Sequence, residues 1–299
     1  MKMKTIEGAD LTIRRTRVGD FLELTKPRIT SLVLITTLVG FYMGSTAGME
    51  TLLLLHTMLG TAFVAGGASA LNQYLERQND ARMQRTKDRP LPDRRVFETE
   101  ALLFSLAISV SGVLYLLLFT NILTGMLGAT TLVLYTFVYT PLKTRTGWAT
   151  LVGAVPGAAP PMMGWTAANG ELDAMAWVLF GIVFLWQMPH FLAIAWIYDE
   201  DYQRGGFAPL TITSTGEDSA SRQIIFYCCA LLPISLLPTT LGDTGNVYLF
   251  GAIALGLIYL AYGMAVAFLR SNTNAVRLLR VSVLYLPALL LLMVVDKVR

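Results

Sequence analysis

The chain has 299 residues, of which 14% are charged and 54% are hydrophobic, and its mean hydropathy is +0.56. Ordinary soluble domains carry about 25% charged residues, so this composition excludes a soluble protein and a disordered chain. The two cysteines, Cys228 and Cys229, are adjacent, which excludes a small disulfide scaffold. A net charge of +3, with basic residues lying between apolar runs, excludes a typical nucleic-acid binder. The composition indicates a protein that crosses a membrane several times.

Uncharged runs long enough for helical crossings, about 20 residues each, follow one another along the chain. The run 101–142 has room for two crossings, with a hairpin near Thr120 and Asn121. The last run is short and reaches full length only if Arg277 and Arg280 extend toward the interface. The runs are 29–49, 51–75, 101–142, 146–170, 174–198, 223–242, 244–269 and 281–295.

These runs predict an all-α fold, a polytopic membrane bundle of nine transmembrane helices. We expect residues 1–28 to form a cytoplasmic N-terminal segment and residues 29–299 to form a single membrane domain. With the N-terminus in the cytoplasm, the cytoplasmic segments hold 21 of the 23 lysine and arginine residues, as the positive-inside rule requires. The first 28 residues contain no apolar core, so no cleavable signal is expected.

An oxygen-rich stripe is predicted at the cytoplasmic end of the second span. Asn72, Glu76 and Asp80 are spaced four residues apart, so on a helix they share one face over about 12 Å. A carboxylate at the membrane end of a helix is costly unless it is paired or binds a cation. Oxygen ligands of this kind suit Mg²⁺, which also uses phosphate oxygens and water. An ordinary solvated helix end is the alternative.

A basic segment follows the stripe directly and contains Arg82, Arg85, Lys87 and Arg89. The positive-inside bias or attraction to anionic lipid would explain a basic loop. Neither explains why the loop continues an acidic stripe. Carboxylates that hold a metal, next to Arg and Lys that neutralise the remaining charge, indicate a polyphosphate site. A further phosphate contact could come from Lys143, which lies with Tyr139 on the same side of the membrane.

A second acidic cluster, Asp199, Glu200 and Asp201, ends the sixth predicted span. It is either a second cation site or the acidic start of a loop. His190 lies inside the preceding apolar run, where a histidine needs a buried partner, so it is either functional or a hydrogen-bonded structural group. Two aromatic residues of this span could line an apolar pocket or anchor the interface: Trp186 and Tyr198.

Several sequence strings resemble a known family. The pattern Asn72-x3-Glu76-x3-Asp80 is similar to the first acidic motif of the UbiA-type intramembrane prenyltransferases. The strings at 83–91, 139–143, 157–165 and 186–191, with 24–28 near the N-terminus, resemble the protohaem IX farnesyltransferase (haem O synthase) branch of that family. The matches run in order from about residue 20 to residue 215.

This resemblance implies transfer of a farnesyl group from farnesyl diphosphate to a vinyl carbon of haem b, with addition of water, giving haem O and diphosphate. It implies Mg²⁺ as the cofactor and a site at the cytoplasmic edge of the bacterial inner membrane. The implied partners are the two substrates and the lipid bilayer, with a downstream haem A synthase as a candidate. No nucleic acid is expected.

Taken with this resemblance, the chemistry and the positions of the residues described above suggest a role for each of them. Mg²⁺ is expected on Asn72, Asp80, Asp199 and Asp201. The diphosphate is expected to be stabilised as it leaves by Arg85, Lys87 and Lys143, with Glu76 in the same catalytic set. Substrate contacts are expected from Arg89, Tyr139, Trp186, His190 and Tyr198, with His190 against the haem as an axial ligand or propionate partner.

Two positions depart from the family pattern. Glu76 stands where many relatives have Asp, so its carboxylate lies about a bond length farther out. The second cluster does not follow the Asp-x3-Asp spacing, which leaves the choice among residues 199–201 open.

Two other functions stay open on the sequence. The acceptor could be a quinone-precursor ring instead of haem. An ion-coupled transporter also has many spans and buried polar groups, but it would place its acidic residues near the bilayer midplane, whereas here they gather at the helix ends. The enzyme hypothesis requires that the ends of the second and sixth spans converge.

Overall fold

The computed structural model describes residues 16–46, 48–208 and 216–298, and this part of the chain is a bundle of helices. Residues 1–15 of the predicted N-terminal segment, and Arg299, lie outside the described residues. The helices are α1 (Arg17–Leu24), α2 (Pro27–Gly44), α3 (Thr51–Asp80), α4 (Glu98–Phe119), α5 (Ile122–Val133), α6 (Thr140–Leu142), α7 (Ala149–Asn169), α8 (Ala174–Ile197), α9 (Asp199–Arg204), α10 (Gly216–Thr240), α11 (Asn246–Leu269) and α12 (Asn272–Val295). A π-helical segment, Leu134–Tyr139, joins α5 to α6.

The all-α membrane fold is confirmed. Eight helical segments of the described chain are long and apolar enough to cross a bilayer, and α5, the π segment and α6 count together as one of them. The one predicted span that is not among these eight is the fifth, which corresponds to α7, whose 21 residues extend about 31 Å. This helix, which contains Pro156, Pro160 and Pro161, does not meet the length and composition criteria that the other eight meet. The described chain therefore contains nine long helical segments, eight of which qualify by composition.

Two helix boundaries, the start of α5 and the start of α12, agree with the sequence analysis. Asn121 caps α5, since its Oδ1 accepts a hydrogen bond from the Thr124 backbone N–H at 2.8 Å. α12 begins well before the short apolar run because Ser271 caps it. Its two arginines, Arg277 and Arg280, are exposed.

α2 and α7 pack in very close contact because glycines lie at their interface. A Cβ atom on Gly40 would lie 1.9 Å from the carbonyl oxygen of Pro161, and one on Gly164 would lie 2.0 Å from the carbonyl oxygen of Thr37. Small residues allow helix backbones to approach in this way in membranes.

α1 is a short helix docked beside the end of α3, within the stretch that the sequence shows only as polar. Leu24 is fully buried in a cluster with Ala70 and Leu91. Arg95, from the chain between α3 and α4, forms ion pairs with Asp20 and Glu23 of α1. These contacts fix the corner between α1 and α2 against the bundle.

On the opposite face, the last described residues join the end of α2 to α11. The ammonium of Lys297 donates to the backbone carbonyls of Tyr42 and Ser45, each at 2.7 Å. The carboxylate of Asp296 accepts from the backbone N–H of Tyr248 at 2.7 Å. The first and last long helices are thereby tied together.

The close contact between α2 and α7 predicts that Gly164→Ala destabilises the bundle. The added methyl group would press on the Thr37 backbone, and overpacking of this kind costs about 1–3 kcal/mol. Thermal unfolding in detergent should show a lower midpoint. Gly181→Ala is the matched control, because its Cβ would first meet a side-chain methyl group of Ile234 at 3.3 Å. Equal midpoints for the two variants would contradict the packing.

Candidate active site

The predicted oxygen stripe lies on one buried face at the end of α3. Asn72, Glu76 and Asp80 are 2%, 5% and 0% exposed. Burying carboxylates at this depth is costly unless they are paired.

Each residue of the stripe is met by a cation from a different part of the chain. The pairs are Lys26 Nζ with Asn72 Oδ1 at 2.7 Å, Lys143 Nζ with Glu76 Oε1 at 2.7 Å, and Arg89 Nη1 with Asp80 Oδ2 at 2.6 Å. Lys143 and Arg89 were predicted to serve this site from the sequence. The sequence does not predict this role for Lys26, although Lys26 belongs to the string 24–28 that resembles the family. We call these six residues the paired stripe.

The pKa values of the two lysines move in opposite directions. Burial, reinforced by the nearby Arg89 guanidinium, lowers the pKa of Lys26 to about 7. Burial alone would also lower the pKa of Lys143, but its interactions with Tyr139 and Glu76 raise that pKa overall. Lys143 is therefore firmly charged, whereas the charge on Lys26 depends on its surroundings.

The oxygens at the end of the stripe fit a divalent cation. Among the described residues, Asp80 Oδ1 is buried and has no hydrogen-bond partner, while its other oxygen contacts Arg89. The described residues contain no group of three His, Cys, Asp or Glu side chains that could hold a metal by themselves. An ion here would need ligands from a substrate, as Mg²⁺ does when it binds with phosphate oxygens and water.

The ends of α3 and α8 converge through the segment that follows each of them. The carboxylate of Asp201 in α9 accepts hydrogen bonds from the backbone N–H groups of Gln84 at 2.8 Å and Arg85 at 3.1 Å. Asn79 donates to the Gly205 carbonyl at 2.6 Å. Burial alone would raise the pKa of Asp201, but the two backbone donors lower it overall. The arrangement that the enzyme hypothesis requires is present.

Aromatic rings surround the cations at this junction. The guanidinium of Arg85 lies 5.3 Å from the ring centre of Tyr198 and 5.6 Å from that of Tyr202. The ammonium of Lys143 lies 4.7 Å from the ring centre of Phe207 and 5.2 Å from that of Tyr139. Such contacts orient a cation without neutralising it. Tyr202 and Phe207 carry no charge or motif that would identify them from the sequence.

Other predicted site residues lie farther from the stripe or face solvent. Lys87 is exposed, and so is Asp199, whose carboxylate accepts from Gln203 within α9. Trp186 is buried in the core, where its Nε1 donates to the backbone carbonyl of Ser282 on α12. His190 stacks on Trp186, and its Nδ1 forms a 2.7 Å hydrogen bond with the Ser282 hydroxyl.

An apolar cavity adjoins the stripe inside the bundle. Its empty space is about 600 Å³, including its open part, and its walls come from α2, α3, α5, α7 and the π segment. Ser69 lies one turn before Asn72, so the cavity reaches the membrane side of the stripe. Met163 and Val64 line it farther in, and Thr61 contributes a buried hydroxyl.

The π segment shapes the boundary between the cavity and the charged residues. π-helical turns are rare and often occur at functional sites. Tyr135 in this segment lines the cavity, while Tyr139 lies one turn later beside Lys143. The next residue, Thr140, accepts a hydrogen bond from Asn72 Nδ2 at 3.2 Å. A single helical segment therefore contacts both the apolar and the polar part of the site.

The sequence model of the UbiA prenyltransferase family matches residues 33–286. This chain belongs to that family. Among its relatives, a protoheme IX farnesyltransferase of Solibacter usitatus is 47% identical over 93% of this chain, and one of Salinibacter ruber is 45% identical over 93%. Each alignment covers 98% of the relative.

Solved structures of UbiA-type proteins share the fold. A structure from work on digeranylgeranylglyceryl phosphate synthase has a TM-score of 0.77 at 18% identity, covering 94% of this chain and 98% of that one. A UbiA homolog from Archaeoglobus fulgidus bound to DMAPP and Mg²⁺ has a TM-score of 0.67 at 14% identity, covering 92% and 99%. At these identities the likeness establishes the fold alone.

The contact between α9 and the basic segment predicts that Asp201→Asn loosens residues 84 and 85. The amide offers one acceptor oxygen in place of two, so one backbone N–H loses its partner. Hydrogen exchange of this segment should accelerate by about 10-fold. Asp199→Asn is the matched control, since Asp199 contacts Gln203 instead. Equal exchange in the two variants would contradict the proposed contact.

Proposed function

We propose that this chain transfers a farnesyl group from farnesyl diphosphate to a vinyl carbon of haem b, with addition of water, giving haem O and diphosphate. The observation that carries the proposal is the paired stripe directly beside an apolar cavity. One site can thereby hold the anionic head and the hydrocarbon tail of a prenyl diphosphate. Relatives named protoheme IX farnesyltransferase, at 47% and 45% identity, support haem b as the acceptor.

The diphosphate binds at the stripe in this proposal. Asn72 and Asp80 would hold Mg²⁺, since an amide oxygen and a buried carboxylate oxygen are ligands that this ion accepts. The ion would neutralise diphosphate charge as the bond to the farnesyl carbon breaks. Further positive charge for the diphosphate would come from the segment after the stripe, which carries Arg85, Lys87 and Arg89. Lys143 lies beside the stripe because it forms an ion pair with Glu76.

The second acidic cluster contacts the basic segment by accepting hydrogen bonds from the backbone N–H groups of that segment. Asp201 faces the basic segment, whereas Asp199 is exposed. We keep both as candidate ligands of a second cation, with Asp201 the better placed. Binding a metal there would require that Asp201 share or release the N–H groups of Gln84 and Arg85.

The farnesyl chain occupies the apolar cavity in this proposal. Breaking the C1–O bond leaves the electron pair on diphosphate and an allylic cation on the chain. The vinyl carbon of haem b then attacks C1, water adds to the resulting cation, and one proton is released. Apolar walls keep water away from the first cation, and the ring of Tyr135 can stabilise it.

The haem contacts are proposed for residues on α8, for Tyr198 directly after it and for Tyr139 at the end of the π segment. His190 uses Nδ1 toward Ser282, so Nε2 is the nitrogen that would meet the haem iron or a propionate. A hydrogen bond to the first nitrogen fixes the ring orientation of such a ligand. Trp186 supports this ring by stacking, and Tyr139 and Tyr198 would line the polar edge of the haem site.

The chain is an integral membrane protein by its family and its apolar helices. We propose that it lies in the bacterial inner membrane with its N-terminus and its site in the cytoplasm, because the basic residues gather on that side. A haem A synthase that takes up the product is a proposed partner.

The direct test is conversion by the full-length protein in lipid nanodiscs. Incubation with haem b, Mg²⁺ and farnesyl diphosphate should yield haem O, identified by mass spectrometry. Asp80→Ala should lower turnover at least about 100-fold without unfolding the protein, because the site loses a proposed metal ligand. Asp88→Ala, at an exposed position nearby, should retain turnover. Prenylation of an aromatic acid instead of haem b would show that the acceptor is wrong.

The proposed haem contact predicts that His190→Ala weakens haem b affinity about 10- to 100-fold, the usual range for loss of a polar ligand contact. Absorbance titration with haem b measures this directly. His56→Ala is the control, since His56 pairs with Tyr115 in another part of the bundle. Normal haem affinity in His190→Ala would remove this residue from the haem site.

A further inference from the structure

Lys26 lies at the corner between α1 and α2 and reaches into the paired stripe. Its ammonium donates to Asn72 Oδ1 at 2.7 Å. This is the amide oxygen that the proposed function assigns to the metal. A lysine ammonium and a divalent cation cannot both occupy the same side of one oxygen, because like charges at this distance repel strongly.

The backbone of Lys26 is held in an unfavourable conformation. Its φ of 49° and ψ of 66° place it in the left-handed region, which non-glycine residues rarely adopt. The following residue is Pro27, which further restricts the backbone of the residue before it. Strained residues of this kind persist only where their surroundings fix them, and they cluster at functional sites.

The surroundings of this corner do fix it. Gln73, the neighbour of Asn72 on α3, donates from Nε2 to the carbonyl oxygens of Glu23 at 3.1 Å and Leu24 at 3.0 Å. Arg95 pairs with Asp20 and Glu23 from the other side. The same turn of α3 that carries Asn72 therefore positions the backbone that carries Lys26.

The charges around Lys26 indicate a further anion. Arg89 and Lys143 already pair with the two carboxylates of the stripe, and Lys26 contacts a neutral amide. Within the described part of the chain the ammonium of Lys26 contacts no carboxylate, and the three cations of the paired stripe face two carboxylates, which leaves one positive charge in excess. A diphosphate group at the stripe would supply the missing negative charge.

We propose that Lys26 is a diphosphate-binding residue that holds the metal position on Asn72 until substrate arrives. In the free protein its ammonium occupies Asn72 Oδ1. When Mg²⁺ and the prenyl diphosphate bind together, the ion takes this oxygen and Lys26 donates to a diphosphate oxygen instead. This inference rests on the proposed function. It adds that Lys26 competes with a metal ion for Asn72 Oδ1 when the metal binds alone. When the metal binds together with the diphosphate, Lys26 instead strengthens binding by contacting the diphosphate.

The test uses two binding measurements whose expected changes have opposite signs. Full-length Lys26→Met should bind Mn²⁺, a spectroscopic substitute for Mg²⁺, at least about threefold more tightly than wild type, since a competing charge is gone. It should bind the unreactive farnesyl thiolodiphosphate with Mg²⁺ about 10- to 100-fold more weakly, since a charge-assisted hydrogen bond is lost. Paramagnetic resonance and calorimetry measure the two affinities.

Two further variants separate this role from a structural one. Lys26→Gly also removes the charge but suits the left-handed backbone, so it should fold stably and reproduce both changes. Arg28→Met removes a positive charge at a nearby exposed position and should change neither affinity. A loss of both affinities in Lys26→Gly, or an unchanged affinity for the diphosphate analogue, would overturn the inference. Haem O formation by wild type would then still support the proposed function.

Discussion

The pairing of buried acidic and amide oxygens on α3 with cations from three other segments is the constraint on which this face of the bundle depends. Removing one partner of a buried ion pair typically costs about 3–5 kcal/mol, because the other charge is left uncompensated. The corner before α2, the chain after α3 and the segment after α6 must therefore lie where their cations can reach α3. The same pairing that stabilises the helix end also gathers the cations of the proposed diphosphate site.

The site divides between charge at the helix ends and apolar walls within the bundle. Tyr135 and Ser69 stand at the boundary, one or two turns from the charged residues. A prenyl diphosphate has the same division between its head and its tail. The proposed chemistry therefore needs little rearrangement of the fold. The diphosphate leaves on the polar side of the site, while the allylic cation stays in the apolar cavity.

Much of this arrangement follows from the sequence, and the reasons are local. Uncharged runs set the spans, and a spacing of four places Asn72, Glu76 and Asp80 on one face. The role of Lys26 does not follow, because a left-handed backbone before proline is imposed by contacts distant in sequence, chiefly from Gln73. The π segment is missed for a related reason: its turns are set by packing, so an apolar run shows only that a helix is present. For Asp201 the sequence gives the charge but not the backbone groups that it contacts.

The contact of Lys297 with the end of α2 bears on how the protein is made. The carbonyl groups of Tyr42 and Ser45 accept hydrogen bonds from an ammonium that lies 255 and 252 positions later in the chain. This contact can form only after the helices between these residues have been inserted into the membrane. Until then, the end of α2 must rely on water or lipid headgroups for these hydrogen bonds.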